Sequence, residues 1–268
     1  MKRLILILVL AVMFSSVARA NDFDDGYAAY QKGDYATVLK LWRPLAEQGH
    51  ANAQFNLALM LDNGEGVTQD YKESAKWYRL AGDQGHVGAQ FNLAQMYESG
   101  EGVIQDSKVA VSWYRKAAEQ GHTGAQYNLG NMYVRGEGAI KDYKESAKWF
   151  RKAAEQGDRD AQSNFGLMHM NGYGVLQDDT EAVKWFRKAA EQGQANGQSN
   201  LGLMYRNGHG VQQDYVRAYM WYSLGASNGG EIGNKNRGLI AKEMTPAQIA
   251  EAQKLARECV RKNYKNCD

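Results

Sequence analysis

Three histidines occupy one position of a repeating pattern, and histidine is the commonest protein ligand for transition metals. They are His50, His86 and His122, with 36 residues between successive members. A shared zinc ion would require ring nitrogens at about 2.0–2.1 Å from the metal. Helices that pack together lie about 8–10 Å apart, so rings carried by successive helical units are too distant to share one ion. We therefore expect no metal site and no cofactor.

Glycine pairs also repeat along the chain, from Gly64 and Gly66 to Gly208 and Gly210. Phosphate-binding loops follow a strand and carry a third glycine or a lysine, which these pairs lack, so we interpret them as turns between helices. The sequence contains no Ser-x-x-Lys, the motif of penicillin-recognising serine enzymes, and no His-Glu-x-x-His. We therefore predict that the protein has no catalytic residues and is not an enzyme.

The two cysteines, Cys259 and Cys267, lie close to the C-terminal end. In an exported protein such a pair predicts a disulfide, with free thiols or a metal pair as the alternatives. Eight residues of straight helix rise about 12 Å, whereas the Cα atoms of a disulfide lie within about 7 Å. The helix must therefore end between the cysteines, and Asn263 suits a left-handed helix cap. Closing this loop should add about 2.5 kcal/mol of stability in the chain-entropy model.

The first twenty residues have the pattern of a secretory signal peptide: a basic start, an apolar run and an Ala-Arg-Ala cleavage site. We expect cleavage after residue 20 and a periplasmic or secreted protein, with a retained membrane anchor as the alternative. This segment carries three of the 32 basic residues and none of the 30 acidic ones, which leaves a formal charge of −1 for residues 21–268. Such a balance favours neither nucleic acid nor an anionic membrane as a partner. No second apolar run approaches bilayer length, so we expect no membrane insertion after cleavage.

A period of 36 residues organises the rest of the chain and indicates one supersecondary unit copied in tandem. In each copy, apolar residues at helical spacing predict a first helix that ends at the glycine turn. An aspartate then predicts the N-terminal cap of a second helix. The predicted caps are Asp70, Asp106, Asp142, Asp178 and Asp214.

These units predict an all-α fold, an α/α solenoid or superhelix of 36-residue helix-turn-helix repeats. Five repeats span residues 51–229, with first helices from residue 51 and second helices from residue 70 in the first copy. A helix pair over residues 21–50 should cap the N-terminal end. Capping helices over residues 230–268, with the disulfide, should close the C-terminal end.

Two columns of large residues are expected in the core, because large apolar side chains dominate buried layers. They are Met60, Met96, Met132, Met168 and Met204, and Trp77, Trp113, Trp149, Trp185 and Trp221. The last helix should begin after Thr245-Pro246, an N-cap followed by proline at the first helical position. Its predicted buried face consists of Ile249, Ala252, Ala256 and Val260.

The repeated residues resemble a known family. The segments Ala89–Tyr97, Gly100–Val103, Asp106 and Trp113–Gly121 are similar to the Sel1-like repeat, a relative of the tetratricopeptide repeat, and the resemblance covers nearly all of residues 51–229. It implies an α/α superhelix and a protein–protein adaptor, and some exported bacterial members act in envelope signalling or host-cell contact. One cysteine-rich branch is linked to penicillin binding and β-lactam hydrolysis, so an envelope enzyme of that type is the alternative. The cysteine pair that this branch carries in each repeat is absent here.

By resemblance to related solenoids, the first helices should line a concave groove. Three columns lie on the face of these helices away from the core stripe. They are Phe55, Phe91, Tyr127, Ser163 and Ser199, then Leu59, Gln95, Asn131, Leu167 and Leu203, then Asn63, Ser99, Arg135, Asn171 and Asn207. The first three members of each column are the candidate binding residues. Exposed aromatic residues are enriched at binding hot spots, so this face is the predicted site for an unidentified protein or peptide partner. The alternative is that Phe55 and Phe91 pack between adjacent repeats.

Overall fold

The computed structural model describes residues 21–267, and every regular element in that range is a helix. The predicted signal peptide over residues 1–20 lies outside the described residues. The chain forms two compact units, divided between His122 and Thr123. We refer to residues 21–122 as the N-terminal unit and to residues 123–267 as the C-terminal unit.

Consecutive helices pack against each other within each unit. The N-terminal unit contains α1 (residues 21–31), α2 (Tyr35–Glu47), α3 (Ala51–Asn63), α4 (Tyr71–Asp83), α5 (Val87–Ser99) and α6 (Ser107–Glu119). The C-terminal unit contains α7 (Thr123–Arg135), α8 (Tyr143–Glu155), α9 (Arg159–Asn171), α10 (Asp179–Ala190), α11 (Ala195–Asn207), α12 (Tyr215–Ser227), α13 (Glu231–Ile240), a 3-10 turn (Ala241–Glu243) and α14 (Pro246–Arg261). All ten repeat helices, α3 to α12, begin within one residue of the starts that residues 51 and 70 and the 36-residue period predict.

Aspartate caps begin the second helices, as the sequence predicts. The Asp70 carboxylate accepts a hydrogen bond from the backbone N–H of Glu73 at 2.9 Å, and the four equivalent aspartates accept the same bond. The glycine turn that precedes each second helix needs its second glycine, as the turn before α6 shows. Gly102 has a φ of +69°, and a Cβ atom there would collide with the backbone of Tyr71 in α4. Only glycine combines this backbone conformation with this close approach.

The methionine column is buried throughout, which confirms that prediction. The tryptophan column is only partly buried. Trp113, Trp149 and Trp221 lie in the core, but Trp77 and Trp185 remain partly exposed. The prediction of an entirely buried tryptophan column is therefore wrong at two of its five positions.

The C-terminal end contains the predicted disulfide between Cys259 and Cys267, whose Cα atoms lie 5.2 Å apart. Helix α14 stops before Cys267, and Asn263 adopts the predicted left-handed conformation with a φ of +49°. The prediction that Val260 is buried is wrong, because its side chain is 49% exposed. Cys259 takes the inward position instead, since it lies seven residues, or about two helical turns, after the buried Ala252.

Candidate binding surfaces on the first helices

The histidine column has a structural role at the start of the first helices. The Nδ1 atoms of His50 and His86 accept hydrogen bonds from the backbone N–H groups of Ala53 and Ala89, at 3.2 and 3.1 Å. Asp158 makes the equivalent bond to Ala161 at 2.7 Å. An accepting Nδ1 carries no proton, so the two rings cap their helices in the neutral form. Within residues 21–267, no group of three or more His, Cys, Asp or Glu side chains is placed to hold a metal ion.

Burial, like capping, favours the neutral form of the imidazole ring in this column. It lowers the pKa of His86 and His122 below the ordinary histidine value. Both rings also stack on aromatic residues of the preceding repeat. The centroid of His86 lies 4.3 Å from that of Phe55, and the centroid of His122 lies 4.4 Å from that of Phe91.

A buried glutamine network joins helix ends within each unit, and the sequence analysis did not find it. The side-chain amide of Gln54 donates to the carbonyl of Ala46 at 2.9 Å and accepts from Gln84 at 2.7 Å, which links α2, α3 and α4. Gln90, Gln162 and Gln198 make equivalent pairs of bonds. Most buried polar groups in proteins are hydrogen-bonded, and these amides each have a donor and an acceptor bond satisfied. The signal in the sequence was a glutamine that recurs every 36 residues, three positions before a core leucine or phenylalanine.

The three aromatic members of the first predicted column are half-buried. The prediction that Ser163 and Ser199 lie on the same outward face is wrong, because both side chains are buried, at 2% and 1% exposure. Phe55 and Phe91 contact Tyr78 and Tyr114 at centroid distances of 5.9 and 5.8 Å, in addition to their histidine partners. Tyr127, in the C-terminal unit, lies 5.9 Å from Phe150. These rings therefore combine packing between neighbouring helices with a partly exposed surface, and their role in partner binding stays a prediction.

The other two predicted columns lie nearer the surface. Gln95, Asn63, Ser99 and Arg135 are exposed, whereas Leu59 and Asn131 are partly buried. The amide of Asn63 donates to Glu65 at 3.0 Å, and Arg135 forms an ion pair with Glu137 at 3.5 Å. The amide of Asn131 donates to the carbonyl of Tyr127 at 3.2 Å.

Two of these residues line an acidic cleft in the N-terminal unit. The cleft has a volume of about 380 Å³. It is lined by Asp62, Asn92, Gln95, Met96, Glu98, Ser99 and Glu101. Tyrosine hydroxyls support its carboxylates: Tyr78 donates to Asp62 at 3.3 Å and Tyr114 donates to Glu98 at 2.6 Å. Burial raises the pKa of Asp62, the Tyr78 hydrogen bond opposes this shift, and the Glu101 charge adds to it.

An apolar cleft of about 260 Å³ lies on the first helices of the C-terminal unit. It is lined by Asn131, Val134, Tyr143, Phe150, Asn164, Leu167, Met168, Asn171 and Tyr173. The rings of Tyr143 and Tyr173 stack with centroids 4.8 Å apart. The lining thus combines aromatic surface with three amide side chains, a composition suited to a peptide segment.

One motif needs separate mention, because residues 225–229 read Gly-Ala-Ser-Asn-Gly, the spacing of a hydrolase nucleophile elbow. That motif requires a sharp turn from a strand into a helix. Here it lies at the C-terminal end of α12, and the Ser227 hydroxyl donates to the carbonyl of Ser223 at 3.0 Å. The geometry is that of a helix end, and the motif does not follow a strand as a nucleophile elbow requires.

These features define a class, the all-helical repeat proteins with open clefts on their first helices. A family model described as Sel1 repeat matches the chain five times, at residues 51–86, 87–122, 123–158, 159–194 and 195–230. The chain belongs to the Sel1 repeat family. Proteins of this family are generally scaffolds for protein–protein interaction and are typically non-enzymatic.

Solved structures agree with this assignment. A protective antigen present in uropathogenic Escherichia coli strains, which displays an SLR fold, is 34% identical with a TM-score of 0.79. The match covers 96% of this chain and 56% of that protein, so the chain spans little more than half of its length. A Sel1 repeat protein from Oxalobacter formigenes is 35% identical with a TM-score of 0.77, and the match covers 88% of this chain and 99% of that one. No curated protein matches the chain significantly. The predicted all-α solenoid fold is thereby confirmed.

Proposed function

We propose that this protein is an exported scaffold that binds a protein or peptide partner on the exposed face of its first helices. The observation that carries the proposal is the recurrence of clefts on this face, one acidic in the N-terminal unit and one apolar in the C-terminal unit. Both use residues of the predicted columns: Gln95 and Ser99 in the first cleft and Asn131 in the second. Each unit therefore offers a cleft of its own chemistry to a segment of a partner.

The aromatic column belongs to the same proposal. Phe55, Phe91 and Tyr127 are partly exposed, so each ring offers one edge to a ligand while its other contacts hold it in place. An aromatic side chain that is already fixed loses little conformational entropy on binding. This is the property expected of hot-spot residues.

Export is supported by two observations beyond the predicted signal peptide. The disulfide between Cys259 and Cys267 is of a kind that persists in oxidising compartments. The E. coli relative is described as a protective antigen, which suits a protein that antibodies can reach. No helix within residues 21–267 is long and apolar enough to cross a bilayer.

Site-specific photocrosslinking in the native host tests the proposal. A photoreactive phenylalanine analogue replaces Gln95 or Asn131 on the first helices, or the exposed Lys76 or Ser112 on the second helices as matched controls. We expect one discrete adduct of the same mass increment from both first-helix positions and none from the controls. Adducts from the control positions alone would contradict the proposed face. An N-terminal sequence that starts at Asn21 in the periplasmic or secreted fraction would support export, and retention of the protein in the cytoplasm would contradict it.

A further inference from the structure

In the tryptophan column, the exposure of each side chain correlates with the type of residue that lies 16 positions earlier in the same repeat. Trp113, Trp149 and Trp221 are 5%, 3% and 1% exposed. The residues 16 positions before these three are all tyrosines, Tyr97, Tyr133 and Tyr205. The two partly exposed members, Trp77 and Trp185, have Leu61 and His169 at that position instead. A tyrosine at this position therefore accompanies a buried tryptophan in the same repeat.

The same tyrosine also meets an arginine of the preceding second helix. Arg187 in α10 donates to the hydroxyl of Tyr205 at 3.2 Å, and Arg79 in α4 donates to that of Tyr97. The equivalent arginine before His169 is Arg151 in α8. It bonds instead to Glu155, one helical turn away, at 2.8 Å. Both members of this ion pair are at least half exposed, and such pairs contribute little.

A cleft of about 470 Å³ lies at this position of the C-terminal unit. Arg151 lines it together with Lys144 and Lys148 from α8. His169 and Trp185 line it from α9 and α10. The imidazole of His169 is held edge-on to Phe165 at a centroid distance of 4.7 Å. Its Nδ1 atom is buried and has no hydrogen-bond partner among the described residues.

We propose that this cleft binds a tyrosine side chain in an acidic segment of the peptide partner. The ring would pack against Trp185, because Tyr205 and Trp221 of the last repeat belong to one buried cluster. Its hydroxyl would accept a hydrogen bond from Arg151, as Tyr205 accepts one from Arg187. Lys144, Lys148 and Arg151 outnumber the two glutamates of the lining, Glu155 and Glu181, and this small positive excess favours an acidic residue beside that tyrosine. This inference rests on the proposed function and names the chemistry of the ligand.

Two dipeptide probes test the cleft without a natural partner. Acetyl-Asp-Tyr-amide and acetyl-Asp-Phe-amide are titrated into the purified ¹⁵N-labelled chain, and the indole N–H signal of Trp185 is followed after assignment with Trp185→Phe. We expect the tyrosine probe to shift this signal and to bind about fivefold more tightly than the phenylalanine probe, because it adds a hydrogen bond to a charged donor. Arg151→Gln should remove the preference between the probes.

Replacing His169 by tyrosine should close the cleft. His169→Tyr restores the residue found in three other repeats, so we expect an unchanged or raised Tm, a more buried Trp185 and at least tenfold weaker probe binding. His209→Tyr, at an exposed histidine of the next repeat, is the matched control and should bind the probes like the wild type. No shift of Trp185 with the tyrosine probe, or undiminished binding by folded His169→Tyr, overturns the inference. Crosslinked adducts from Gln95 and Asn131 that persist in His169→Tyr would show that the scaffold function stands although the partner does not use this pocket.

Discussion

The first helices of the two units present the same positions with opposite chemistry. In the N-terminal unit, Asp62 accepts a hydrogen bond from Tyr78, and Glu98 accepts one from Tyr114. In the C-terminal unit, Val134 and Met170 occupy the positions of the two acids, and Phe150 and Phe186 occupy the positions of the two tyrosines. In these four repeats the carboxylate and the hydroxyl are present together or absent together. This is what a partly buried polar pair requires, because removing one partner costs more than removing both.

The last repeat shows what happens when the two positions do not match. It has Tyr222 with Arg206 in place of an acid, and Arg206 pairs with Glu243 at 2.9 Å. The hydroxyl of Tyr222 is buried without a hydrogen-bond partner among the described residues, and burial raises its pKa to about 12. The same repeat backbone therefore accommodates three combinations at these two positions: an acid with a tyrosine, an apolar residue with a phenylalanine, and an arginine with a tyrosine. The acidic or apolar character of each cleft follows from the combination.

The largest difference between the units should appear when the aromatic column is truncated. Phe91 stacks on His122 and contacts Tyr114 at a tilt. Tyr127 contacts Phe150 at a tilt and has Asp158 at the position of the histidine. We expect Phe91→Ala to lower the free energy of unfolding by about 3 kcal/mol and Tyr127→Ala by about 2 kcal/mol. Urea unfolding measures both. Equal costs, or a cost below about 0.5 kcal/mol at Phe91, would mean that the histidine stack contributes nothing.

Only the C-terminal unit carries a disulfide. Replacing Cys259 and Cys267 together by serine should lower the stability of that unit by about 2.5 kcal/mol, because the open chain gains entropy on unfolding. Hydrogen exchange followed by mass spectrometry should show lost protection in α14 and unchanged protection in α3 to α6. Uniform loss across both units would contradict a local effect of the disulfide.

The pairing of Asp62 with Tyr78 can be tested by giving these two positions the residue types found in the C-terminal unit. Asp62→Val removes the acceptor of Tyr78, and we expect a cost of about 1.5 kcal/mol. Adding Tyr78→Phe reproduces the pair Val134 and Phe150, so the double variant should recover about 1 kcal/mol relative to simple additivity. Urea unfolding of the two single variants and the double variant gives this coupling energy. Additive costs would show that the tyrosine and the carboxylate are not energetically paired.

Helix positions were predictable from the sequence because the residues that mark each helix boundary recur in all five repeats. Caps such as Asp70 and turn glycines such as Gly102 are local signals that tertiary packing does not override. Burial was less predictable. Gln54 is polar yet buried because backbone and side-chain partners satisfy its amide, and no local pattern contains those partners. The cleft over Trp185 depends on His169, whose significance appears only when the repeats are compared in space.

The smallest predicted effect concerns pH and again separates the units. His86 caps α5 in the N-terminal unit, whereas Asp158 caps α9 in the C-terminal unit. Burial lowers the pKa of His86 in the folded chain, so near its ordinary pKa the unfolded chain binds more protons. The stabilisation by this cap is therefore complete above about pH 6.5 and is lost as the pH falls through that value towards the folded pKa.

We expect a loss of about 1 kcal/mol between pH 7.5 and pH 5 that is attributable to this cap. His86→Asn keeps a capping acceptor that does not titrate, so the variant should be less stable at pH 7.5, because it lacks the stack on Phe55, but should lose less stability on acidification. His209→Asn removes an exposed histidine and should keep the wild-type slope. Urea unfolding at four pH values gives the slopes. If His86→Asn retains the full pH dependence of the wild type, the acid sensitivity arises elsewhere, and the contrast between histidine-capped and aspartate-capped repeats has no energetic consequence.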